Sequence, residues 1–164
     1  MSNQLKDVLQ KQQEQKKPAA ETENIIQLVA FVVGTEEFAV PILSIQEIIK
    51  PLEHTRVPGV PNYVLGVFNM RGWVVPLINL RLKFGLPYEK PTEDTRYIVI
   101  RNQEERAGFI IDRLTEAVRI KESDIDPTPE TITHQDENLI YGVGKRDDRL
   151  ITILRPEELL KRTF

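Results

Sequence analysis

Residues Leu65–Leu80 read LGVFNMRGWVVPLINL, and how this stretch is read decides the fold. Two apolar runs meet at Arg71-Gly72. Glycine is at ease at the positive φ that tight hairpin turns require, so the stretch reads as a β-hairpin. A half-buried strand alternates apolar and polar residues. Here Val67, Phe68 and Met70 fill both faces before the turn, and Trp73, Val74, Val75, Leu77 and Ile78 fill both after it. A ribbon apolar on both faces has to be covered on both, by a second layer or by a partner. Period-2 spacing puts Asn69 and Arg71 on one face. An arginine beside so much apolar surface fits a protein contact better than a core.

Upstream, Ile25–Val33 (IIQLVAFVV) is β-branched and apolar, a strand. Gly34-Thr35 turns it into a second strand, Glu37–Ile42, with Pro41 marking an edge or an end. Ser44–Ile49 reads as a bend or a short helix: Ser44 is an acceptable N-cap, and Glu47 three residues on makes a capping-box pattern. Pro51–Pro61 is proline-rich and extended, and Asn62–Leu65 fits one helical turn. Residues 1–24 are rich in Gln and Lys, with almost no large apolar side chain after Leu9. They bury too little to offset the entropy of ordering and read as a disordered polar tail.

Downstream, Asn79 caps a short helix closed by Gly85. Leu86–Asp94 reads as a linker between two halves. Thr95–Arg101, Arg106–Asp112 and Leu114–Ile120 read as strands, Lys121–Asn138 as a long acidic loop, and Leu139–Val143 and Leu150–Leu154 as a closing strand pair. Pro156–Arg162 is a C-terminal helix with acids first and bases last, matching the helix dipole. About ten short strands with turns every 8–12 residues or so indicate small β-barrels or a sandwich. Two halves of about 60 residues each are marginal alone, so they must share an apolar interface.

Chemistry is sparse. The chain of 164 residues carries a net charge of −3 and no cysteine, which removes thiol nucleophiles, disulfides and iron–sulfur ligation. No basic cluster suits nucleic acid. The longest apolar runs fall short of the ~20 residues that span a bilayer, and the polar start is no signal peptide. These features point to a cytoplasmic chain with no membrane insertion. His54 and His134 stand apart, without ligand-spaced neighbours. Asp124 and Asp126 lack the glycine and terminal glutamate of a calcium loop, and Asp147-Asp148 is ordinary turn chemistry. Gly142-Val-Gly144-Lys145 lacks the rest of a phosphate loop and reads as a strand with close-contact glycines. No catalytic residue, cofactor site or metal site is expected.

The stretch Gly66-Val-Phe-Asn69-Met-Arg71-Gly72-Trp-Val-Val-Pro76-Leu-Ile-Asn79-Leu80 resembles the signature of the CheW family of chemotaxis coupling proteins. Phe38 with Ser44-Ile-Gln-Glu47-Ile, Gly108-Phe-Ile-Ile-Asp112, Leu139–Gly144 and Arg149–Leu154 extend the likeness to the C-terminus. Asn79 departs from the family's usual aspartate, and Met70 from its frequent leucine. The resemblance implies a mostly β fold of two five-stranded SH3-like barrels with a groove between them, short helices and a C-terminal helix. Divided within the charged, proline-containing Leu86–Asp94 linker, the first half would run over residues 25–92 and the second over 93–164, with terminal elements free to cross between them. It implies a non-catalytic adaptor that binds the cytoplasmic tip of methyl-accepting chemoreceptors and the regulatory domain of the histidine kinase CheA. Couplers of this kind also serve pilus, gliding and surface-sensing pathways. By the same resemblance Arg71 falls on a partner-contact arginine, and Glu47 on the bend glutamate, flanked by Ile45 and Ile48 for a receptor helix. Asn69 supports the turn. Leu114, Ala117 and Val118 would line the other side of the same groove. Gly66, Gly72, Pro76, Asn79, Gly108 and Asp112 would be structural.

Overall fold

The computed structural model describes residues 24–127 and 138–161. The polar tail, His134 and the middle of the acidic loop lie outside the described residues. In chain order the strands are β1 (Ile25–Val33), β2 (Glu36–Pro41), β3 (Ile45–Ile49), β4 (Val64–Met70), β5 (Trp73–Asn79), β6 (Arg96–Asn102), β7 (Glu105–Ile111), β8 (Arg113–Lys121), β9 (Ile125–Asp126), β10 (Ile140–Arg146) and β11 (Arg149–Leu154). Helix α1 (Leu80–Lys83) follows β5 and α2 (Pro156–Lys161) follows β11. The strands form a five-stranded sheet, β3-β6-β7-β5-β4, and a six-stranded sheet, β8-β1-β2-β11-β10-β9, whose sixth member is the two-residue β9. Each curls into a small barrel, and the mostly β, two-barrel architecture agrees with the sequence reading.

The boundary at residues 92/93 does not separate the two sheets. All of the five-stranded sheet comes from residues 45–111 in one run, while the other takes β1 and β2 from before it and β8–β11 from after it. The first barrel is therefore an insertion within the second. The chain crosses between sheets at the 3₁₀ turn Ile42–Ser44 and again at Asp112.

This topology explains why so many strands are apolar on both faces. Phe68, Met70, Val75, Leu77, Tyr97 and Val99 fill the first barrel. Leu28, Ala30, Ala39, Val118, Ile120, Ile151 and Ile153 fill the second. The opposite faces of the same strands, with Phe31, Phe38, Val40, Ile78, Ile98, Ile100 and Phe109, meet between the sheets in a shared core. Leu159 and Leu160 of α2 complete that core, and Phe84 stacks on Phe38 at 4.9 Å. Each large side chain so buried contributes roughly 1.5–3 kcal/mol.

Local reading failed at Ser44–Ile49. The capping-box pattern there does not start a helix. Ser44 Oγ donates back to Pro41 O, and β3 pairs with β6 instead. Nor does Asn62–Leu65 form a helical turn: residues 62–63 are a simple turn and β4 begins at Val64. The acidic loop is shorter than expected at its start, because buried Ile125 and exposed Asp126 pair with β10. Asn79 does cap α1, accepting from Leu82 N at 3.1 Å.

Asp112 secures one crossing. Its carboxylate accepts from Gly34 N at 2.8 Å and from Arg81 Nε and Nη2 at 2.9 and 2.8 Å, joining the β1–β2 turn, α1 and the β7–β8 corner. These hydrogen bonds, opposed by partial desolvation, hold the Arg81 guanidinium above its ordinary pKa. Gly66 secures the barrel wall. Val67 gives both its backbone groups to Thr55, across an isolated bridge. Gly66 sits at φ 148, and a Cβ there would stand 2.0 Å from Thr55 O, so only glycine fits. Pro76 lies opposite Val67, a position whose nitrogen points away from β4, and the β5–β7 ladder begins only at Leu77. Its missing donor therefore breaks no pairing.

Candidate protein-docking surface

The hairpin of β4 and β5 closes on Arg71-Gly72, with Met70 opposite Trp73. Both turn residues have positive φ, 52° and 86°, as a type I′ turn demands. Asn69 Oδ1 accepts from Gly72 N at 3.1 Å and braces the turn. Asn69 and Arg71 are thus turn partners and do not share a strand face. Arg71 is the unusual member, since a non-glycine residue in this region costs about 1 kcal/mol or more. Its side chain points out, 74% exposed, with Nη2 2.9 Å from Glu47 Oε1.

Glu47 is aimed by a bulge. Ile45 pairs with Ile100 and Glu47 with Val99, so Gln46 is an extra residue in β3. Ile45 and Ile48 accordingly both pack on the inter-sheet core. Only their edges are left for a partner, whereas the sequence reading gave them a free apolar patch. Gln46 and Glu47 both turn toward the hairpin: Gln46 Oε1 accepts from Arg106 Nε at 3.0 Å. The Arg106 guanidinium lies 3.6 Å from the centroid of Trp73. Trp73 is 53% exposed and Val74 70%, so the ribbon is buried at its base and bare at its tip. The second layer covers the rest.

Leu114 and Ala117 are exposed on β8. Val118 is not available: at 2% exposure it is core of the second barrel. Its predicted place in a groove is corrected on that ground. β7 separates the two groups. Arg106 near its start belongs to the turn cluster, Asp112 just past its end precedes Leu114, and the extended chain between covers about 20 Å. Glu47, Asn69 and Arg71 are brought together; Leu114 and Ala117 form a second patch.

Trp73, Val74, Gln46 and Arg106 were not singled out as site residues from sequence. For Trp73 a signal existed, since the turn beside it exposes its neighbours. Arg106 comes from a distant hairpin and carried none. Among the described residues no group of three or more His, Asp or Glu could hold a metal ion. Asp147 is a turn residue at φ 55.

The model of the CheW-like domain matches residues 27–164. The chain is 58% identical over 166 residues to a chemotaxis protein CheW of Helicobacter pylori, covering 100% of both. It is 33% identical over 135 residues to that of Bacillus subtilis, covering 82% of this chain and 86% of the relative. The crystal structure of the scaffolding protein TtCheW from Thermoanaerobacter tengcongensis superposes with a TM-score of 0.74 at 30% identity, covering 80% of this chain and 90% of that one. The chain belongs to the CheW-like family, the non-catalytic adaptors of chemotaxis signalling.

Proposed function

We propose that the protein couples methyl-accepting chemoreceptors to the regulatory domain of CheA, and that the Arg71–Glu47 surface grips the receptor tip. The observation that carries this reading is an arginine kept at positive φ, ion-paired and yet largely open to solvent. Gln103 and Asp147 take the same φ in their turns, so what distinguishes Arg71 is the exposed guanidinium held against Glu47 at the tip of a bare apolar ribbon. The planar guanidinium keeps donors at the surface for a carboxylate or a backbone carbonyl of a partner helix. Leu114 and Ala117 offer a second, smaller contact.

Coupling then needs only differential affinity. An adaptor that binds receptor and kinase better in one receptor state shifts the equilibrium by that difference and no more. Contacts weak one by one gain strength when many are linked in an array. Among the described residues no helix is long and apolar enough to cross a membrane. The place proposed for the protein is the cytoplasmic side of receptor arrays.

The test is titration of the full chain against a receptor-tip fragment and, separately, against the kinase regulatory domain. Micromolar binding to each is expected, as for transient signalling contacts. Absence of binding to both overturns the reading.

A further inference from the structure

The mouth of the first barrel holds a stack that the coupling role alone does not explain. Period-2 alternation puts Trp73 on the face of β5 that carries Val75 and Leu77, and Arg106 on the face of β7 that carries Gly108 and Ile110. That face looks into the barrel, since a Cβ on Gly108 would stand 2.7 Å from the Phe68 ring. Arg106 and Trp73 therefore cap the barrel core together, the guanidinium over the indole ring, with the outer part of the indole still open. From the same guanidinium, Nε reaches Gln46, the bulged residue next to Glu47. One side chain so links the strand that carries Glu47 to the strand that starts at the Arg71-Gly72 turn.

We propose that Arg106 is a positioning residue for the docking surface, and that the exposed indole of Trp73 is itself part of the contact. Resting on the receptor-tip reading above, this assigns the partner's chemistry: a helix presenting a carboxylate to Arg71 and an apolar side chain to Trp73 and Val74. A planar fork is needed for both tasks of Arg106. Lysine offers a point charge, which cannot stack on the indole and hold Gln46 in the same geometry.

Trp73 is the single tryptophan of the chain, so its emission reports this surface directly. The experiment titrates the full-length protein with a receptor-tip helical fragment, reading Trp73 emission and acrylamide quenching beside calorimetric affinity. The expected result is an emission change with the same midpoint as the calorimetric one and protection from quencher at saturation. Arg106→Ala and Arg106→Lys should each weaken the fragment several-fold, with kinase-domain affinity unchanged. Gln46→Ala, at an exposed position, gives a milder loss and serves where Arg106→Ala lowers the melting temperature. Binding with silent, equally quenchable Trp73 and unchanged affinity in the Arg106 and Gln46 variants overturns this inference and leaves the coupling role standing. Loss of binding to both partners in the unmodified protein overturns the two together.

Discussion

Arg71 Nη2 lies 2.9 Å from Glu47 Oε1, and the two residues come from opposite edges of one sheet. In the order β3-β6-β7-β5-β4, β3 and the β4–β5 hairpin are the ends, so the ion pair closes the seam of the first barrel. An exposed pair of this kind contributes about 0–1 kcal/mol. The seam would hold without it, and the pair is better understood as setting where the guanidinium stands.

Replacing Arg71 by Asn separates strain from contact. Asn-Gly is the preferred type I′ sequence, so relief at the turn offsets the lost ion pair, and stability should stay within about 1 kcal/mol. Receptor-fragment affinity should fall about ten-fold or more. Thermal melts and calorimetry on one preparation read both. A variant that simply unfolds marks the arginine as structural.

Gly66→Ala should be far more damaging than its size suggests. The added methyl meets the Thr55 carbonyl backbone, which has no flexible end to swing away, and the φ of 148° disfavours any L side chain. A loss of about 2–4 kcal/mol is expected from chemical denaturation, within the range of strained special-φ sites. A neutral result would mean that the Thr55–Val67 bridge is dispensable.

Asp112→Ala removes the acceptor for Arg81 and for Gly34 N at one crossing between the barrels. Leaving the guanidinium only the exposed Glu89 carboxylate and the Pro87 carbonyl, and Gly34 N without its acceptor, should cost about 1–3 kcal/mol. Because Asp112 lies far from the turn cluster, receptor-fragment affinity per folded molecule should be unchanged. A drop in affinity at full folding would place Asp112 in the contact.

Tyr97 supplies a pH signature. Burial, which disfavours the charged phenolate, raises the phenol above the ordinary value of 10.0. The fold prefers the neutral form, so the contribution is full below the unfolded pKa and is lost as pH rises through the higher folded one. Wild type should therefore lose its stability margin over Tyr97→Phe above about pH 10. Melts of both proteins across the alkaline range would show parallel curves if Tyr97 were freely solvated.

Short-range chemistry was legible in the chain and long-range pairing was not. The Arg71-Gly72 turn, the Asn79 cap and the dipole-matched α2 follow from neighbouring residues, and the structure has each of them. Ser44 and Glu47 show the opposite case. Their capping-box spacing is genuine, but pairing of β3 with β6 satisfies the backbone better than a lone turn of helix, and the bulge at Gln46 redirects Glu47. Val118, expected to line the groove, is core instead, because irregular pairing between β1 and β8 breaks the alternation from Leu114 onward. The 92/93 division followed composition, whereas the barrels divide where a three-residue turn and a single aspartate cross.

That nesting of one barrel within another governs the order of assembly on the ribosome. Residues 45–111 hold every strand of the inner barrel and can finish it while synthesis continues. β1 and β2 emerge earlier, greasy on either side, yet their partners β8 and β11 are made only after the inner barrel. For the whole of that interval the nascent chain carries an open-edged hairpin. An open edge of that kind is a general template for wrong pairing, so the hairpin is the segment of the nascent chain most exposed to it.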